Sequence, residues 1–101
     1  MSQTQKISIR RKPGQPLAQF SPANRAAGVG DDIFWSNTDE KDQHWPAPSV
    51  AKKTDWMDNP IPIKLPNQPA PTSQFLSFSG ATTITYVCAL HPEETGTITV
   101  Q

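Results

Sequence analysis

Sulfur and imidazole are scarce in this chain of 101 residues, which has one cysteine, Cys88, and two histidines, His44 and His91. A single cysteine excludes an internal disulfide, so cysteine usage carries no sign of an oxidising compartment. Net charge is missing too, with nine basic residues balancing nine acidic ones. That balance removes the basic stripe of a nucleic-acid binder and the polybasic segment of a membrane-surface protein. No apolar run approaches the roughly 20 residues of a membrane-spanning helix. The opening residues, Met1-Ser2-Gln3-Thr4-Gln5-Lys6, lack the apolar stretch of a signal peptide. The expected location is therefore cytoplasmic, or periplasmic or otherwise extracytoplasmic if a leader has been removed. There is no glycine-rich phosphate loop, no nucleophile–base pair and no internal repeat.

Proline, by contrast, is abundant at eleven residues, which argues against a helical bundle and for many short elements joined by stiff loops. The expected class is all-β, as one domain over residues 1–101. A domain of this size buries only roughly two thirds of its unfolded surface, so its core must be economical. Lys6-Ile7-Ser8-Ile9-Arg10 alternates apolar and polar residues and predicts a half-buried strand. Ala26-Ala27-Gly28-Val29 is a weaker strand, Gly30-Asp31 a turn, and Asp32-Ile33-Phe34-Trp35-Ser36-Asn37 a clear strand, together suggesting a hairpin. Residues 38–43, with Asp39, Glu40 and Asp42, read as an exposed acidic loop that delivers His44 and Trp45. A short helix is one reading of residues 49–57, with Ser49 as N-cap and Val50, Trp56 and Met57 as its apolar contacts. Residues 59–71 carry five prolines and read as an edge strand or an extended surface loop. Residues 73–78 alternate with Phe75 inward, together with Leu76 or Phe78. Residues 82–87 are rich in β-branched and aromatic types, as befits a central strand. A loop over 88–95 and a closing strand, Gly96-Thr97-Ile98-Thr99-Val100, finish the chain. Six or seven such strands suggest a β-sandwich.

The chemistry is concentrated in Tyr86-Val87-Cys88-Ala89-Leu90-His91-Pro92. Cys-x-x-His alone is a weak pattern, because a lone cysteine in a small domain is more often a buried apolar residue. Its context strengthens it. Cys88 ends a strand and His91 sits in a short loop that returns as a strand, so a thiolate and an imidazole are aimed at one point. If His44 joins them, the set is His2Cys, the ligand signature of mononuclear copper electron-transfer centres.

The sequence then resembles the cupredoxins of the plastocyanin and azurin kind. Phe20-x-Pro22 and Val29-Gly30-Asp31-x-Ile33-x-Trp35-x-Asn37-x-Asp39 are similar to the family's strand, Gly-Asp turn and Trp-x-Asn strand, and Cys88 to Val100 is similar to its ligand loop and final strand. The resemblance implies a Greek-key β-sandwich holding one copper ion through His44, Cys88 and His91. It implies an electron carrier rather than an enzyme, with redox proteins as partners, no nucleic acid, and a monomeric state. His91 would be the electron's exit, and Leu90, Pro92, Pro46 and Pro48 an apolar docking rim. Asn37 and Asp39 could lock the His44 loop from behind, or simply serve its turns. Trp45 could shield the metal or extend an aromatic surface with Trp56, with core packing the plainer reading.

One departure stands out. Where the family has methionine as a weak axial ligand, this chain has Glu94. The carboxylate could bind copper, could point to water, or could mark loss of copper function; a solvated surface charge is the bland reading. A hard anionic oxygen favours Cu(II) and a lower potential. Two further functions stay open: a red-copper-like open site that binds or converts a small molecule, and copper storage or delivery. Zinc is the weaker metal candidate for the same four residues.

Overall fold

The computed structural model describes residues 3–50 and 56–101. Among these residues seven strands carry the fold: β1 (Thr4–Arg10), β2 (Gln19–Ser21), β3 (Asn24–Ala27), β4 (Asp32–Asn37), β5 (Pro46–Pro48), β6 (Thr82–Cys88) and β7 (His91–Val100). They form two sheets, ordered β2-β1-β4 and β3-β7-β6-β5. The alternation in β1 does what period-2 patterning predicts, burying Ile7 and Ile9. Ile33 and Trp35 of β4 and Ile98 and Val100 of β7 complete the same core. The architecture is the expected β-sandwich. Among the described residues there is no α-helix, and none is long and apolar enough to cross a membrane. Residues 51–55, the middle of the expected short helix, lie outside the described residues. Of its expected apolar contacts, Met57 and Trp56 do meet the core, whereas Val50 is fully exposed.

Three expectations are corrected. The Gly30 turn does not close a hairpin: β3 pairs in parallel with β7, and β4 pairs in parallel with β1, so the turn carries the chain from one sheet to the other. Gly30 has a φ of 86°, the left-handed region that glycine enters without strain. The second correction concerns residues 71–76, which run antiparallel to β4 as isolated bridges rather than as a full strand. Ser73 N donates to Trp35 O, and Ile33 and Leu76 exchange backbone hydrogen bonds. Pro69 and Pro71 have no N–H to give, which stops this run from building a regular ladder. Of the residues expected inward, Leu76 and Phe78 do pack on the core, but Phe75 is exposed. Third, the loop expected over 88–95 is only a turn at 89–90, because β7 already begins at His91.

The interior is aromatic. Trp35 and Tyr86 meet edge to face at 5.4 Å, Phe20 and Tyr86 at 4.8 Å, and Trp35 stacks on Trp56 at 5.8 Å. Gly96 lies opposite Tyr86 in the β6–β7 ladder, and a Cβ there would stand 2.5 Å from the phenol ring and its oxygen. The ring is locked by its neighbours, so it cannot retreat. Gly96→Ala should therefore lower stability by about 1–3 kcal/mol, the usual cost of overpacking, read as an earlier denaturation midpoint with an unchanged m-value.

Candidate metal centre

Strand parity brings a carboxylate inside. On β7 the buried positions are Glu94, Gly96, Ile98 and Val100, so Glu94 enters the interior on the core-facing side. On β6, Tyr86 and Cys88 share a face by the same rule, and both are fully buried. Between the pairs Val87–Thr95 and Cys88–His91, one step along β6 is matched by four along β7. The surplus residues Pro92, Glu93 and Glu94 form a bulge, which re-aims side chains as bulges do. The turn at Ala89-Leu90 then sets His91 opposite Cys88, with Nδ1 3.5 Å from Sγ.

His44 arrives from the other side. Its backbone exchanges two hydrogen bonds with Ile61, and β5, just after it, pairs with the end of β6. Trp45 N donates to Cys88 Sγ at 3.3 Å, and Ala89 N donates to Trp45 O at 2.8 Å.

One donor atom from each of His44, Cys88, His91 and Glu94 lies within 4.8 Å of all the others. His44 Nδ1 is 2.9 Å from Glu94 Oε1, and His91 Nδ1 is 3.4 Å from that oxygen. A tetrahedron with bonds of roughly 2.1 Å has edges of about 3.4 Å, so the spacing suits one metal ion. Supports stand behind the donors. Asp39 Oδ2 lies 2.8 Å from His44 Nε2; with Nε2–H donating there, Nδ1 keeps its lone pair for the centre. Glu94 Oε2 accepts from Ala18 N at 2.8 Å, leaving Oε1 to face His44. Those two facing atoms, Nδ1 and Oε1, are buried and not aligned as a hydrogen bond. Close buried acceptors of this kind call for a cation between them, a proton or a metal. A set of two nitrogens, one sulfur and one oxygen accepts copper or zinc.

The charges are consistent with this. Burial disfavours the His44 cation, but the closeness of Cys88 and of the Glu94 and Asp39 carboxylates outweighs it and lifts the imidazole to about 10. Burial also opposes the Asp39 charge, yet hydrogen bonds from Arg11, His44 and Lys41 N hold that carboxyl far below the usual carboxylate range. Glu94 is likewise held down, burial being outweighed by His44 and Ala18 N.

No family model and no curated protein matches the sequence. Solved structures do match. A purple cupredoxin from Nitrosopumilus maritimus superposes with a TM-score of 0.67 at 24% identity, covering 96% of this chain and 99% of that one. A reduced amicyanin mutant gives 0.66 at 19% identity over 97% of this chain and 82% of its own. Amicyanin from Paracoccus versutus gives 0.65 at 16% identity, over 97% and 81%. The chain has the cupredoxin fold.

Within this cupredoxin fold, all four residues singled out from sequence come together at one end of the sandwich. Glu94 is buried, so the reading as a solvated surface charge is set aside. Asp39 is buried as well, turned in on His44 and Arg11, while Thr38, Glu40, Lys41 and Gln43 of the same loop are exposed as expected. Asn37 donates to Asp42 O and Pro62 O and accepts from Asp39 N, pinning that loop. Trp45 packs on the core, and its Nε1 donates to Met57 O. Pro46 is buried and drops out of the apolar rim, while Leu90 and Pro92 are exposed. Arg11 and Ala18 were not anticipated: each acts on the site from a distant stretch of chain, and no local pattern marks either one.

In the metal-free protein the raised His44 pKa has a defined consequence for stability. The contribution of the cation is complete below about 6.5, the unperturbed value, and is lost as pH rises through about 10. The stability gap between wild type and His44→Asn, measured by urea unfolding in chelator, should thus be widest in mild acid and shrink through pH 10. A gap that does not vary with pH would contradict this.

Proposed function

We propose that this protein is a one-electron carrier holding a single copper ion through His44, Cys88, His91 and Glu94. The observation that carries this reading is the convergence of one imidazole, one thiol, a second imidazole and a carboxylate on one point at the end of a cupredoxin fold. When bound, copper supplies the Cu(II)/Cu(I) couple; the residues do the rest. Asp39 fixes the ring of His44, Trp45 N–H supports the Cys88 thiolate, and Ala18 N–H orients Glu94. A donor set held this firmly changes little between oxidation states, which suits electron transfer over substrate chemistry. His91 is the only one of the four that reaches solvent, its side chain 30% exposed. Leu90, 46% exposed, stands beside it. That edge is the electron's exit and the docking face for a redox protein.

The carboxylate gives the centre its character. Bound copper held by Glu94 would meet a hard oxygen, which would favour Cu(II), lower the potential relative to a thioether and weaken the bond to the Cys88 thiolate. The absorption then moves away from pure blue. Similarity to a protein described as a purple cupredoxin is in keeping with this.

Titration of purified protein with Cu(II) should produce an intense thiolate-to-copper band and a mononuclear EPR signal at one equivalent. Cys88→Ser should abolish the band, and its absence from wild type would sink the proposal. Glu94→Met should raise the reduction potential and strengthen absorption in the blue-site region. An unaltered spectrum and potential would remove Glu94 from the ligand set.

A further inference from the structure

Arg11 lies one residue past the end of β1, far from the four donors in sequence, yet its side chain is only 9% exposed. Its guanidinium spends every donor it has. Nε donates to Asp39 Oδ1 at 3.1 Å and Nη2 to Asp39 Oδ2 at 2.8 Å, a two-point clasp. Nη2 also donates to Asp42 Oδ2 at 2.7 Å, and Nη1 donates to Pro16 O at 2.7 Å and Gln15 O at 3.4 Å. Each end of this array leads to the centre. Asp39 Oδ2 meets His44 Nε2 at 2.8 Å. Two residues beyond Pro16, Ala18 N holds Glu94 Oε2 at 2.8 Å.

From this we infer that Arg11 is a positioning residue for the metal centre, setting His44 through Asp39 and Glu94 through the 15–18 stretch. The physical argument is geometric. A carboxylate accepting from Arg11 at two points cannot rotate, so the imidazole it holds has one orientation and one tautomer. A lysine would keep the charge but, as a point donor, could not span both oxygens of Asp39 and two backbone carbonyls as well. Asp39 accepts a further N–H from Lys41 at 3.0 Å, so its lone pairs are fully used and it has no second way to hold the ring.

This inference rests on the copper reading, and the test separates the two. Cu(II) affinity, measured by competition with a chelator, and the EPR and visible spectra are compared for wild type, Arg11→Gln, Arg11→Lys, Asp39→Asn and the Arg11→Gln/Asp39→Asn pair, with circular dichroism of each metal-free protein. Loss of an outer support typically costs 10–100-fold in metal affinity. Arg11→Gln should lose about that much with an altered EPR signal, Arg11→Lys should fail to restore it, and the pair should lose little more than the worse single variant. Wild-type affinity and spectra in folded Arg11→Gln, full rescue by lysine, or additive losses in the pair would each overturn the inference while leaving the copper reading intact. Unfolding of both arginine variants would overturn it as well, since Arg11 would then be a support of the fold and not of the site. A wild type with no thiolate band would remove both.

Discussion

Two carboxylates and an imidazole lie inside a domain with very little interior to spare, and they can do so only because every charge is closed by a partner. An uncompensated ion in such a place costs several kcal/mol, enough to erase much of the stability of a small domain. Here Asp39 is closed by Arg11 on one side and His44 on the other, and Glu94 by His44 and a backbone N–H. The array runs from the end of β1 across the His44 loop to the start of β7, so it ties both sheets to one end of the sandwich. The positions of the donors at the centre follow from that closure.

Strand architecture supplies the other half of the geometry. The bulge in β7 lets Glu94 stay in phase with Ile98 and Val100 while His91 turns to face Cys88 across the ladder. The two imidazoles consequently have different characters. His44 is fully buried and braced from behind, whereas His91 directly follows a two-residue turn and has a partly exposed ring. The rigid side belongs to the core and the accessible side to the turn, a division of labour written into where each histidine falls on its element.

Much of this was legible in the sequence, for local reasons. The alternation of Ile7 and Ile9, the β-branched run of β6 and the Cys88–His91 spacing all report structure within a few residues. What escaped depended on phase or distance. Treating 88–95 as a loop broke the alternation that, carried back from Val100 through Ile98 and Gly96, lands Glu94 inside. The same kind of error turned Phe75 inward, because a proline-rich run gives no anchor for its parity. The supposed hairpin around Gly30 failed because a turn signal says that the chain changes direction, not which sheet it joins next. Arg11 is one of three consecutive basic residues in the sequence; only the fold shows that it alone of them turns inward to Asp39.

The incomplete strand at residues 71–76 has a bearing on how copies of the chain meet one another. A sheet that ends in a free row of N–H and C=O groups is a template on which another chain can add, the usual route to edge-to-edge aggregation. Here β4 spends its outer hydrogen bonds on a partner that pairs only in places, and the residues leading into that partner include Pro66, Pro69 and Pro71. The segment thus caps the sheet and then offers too irregular a row for an incoming strand. The prolines that keep this edge from becoming a proper strand also keep it from recruiting one.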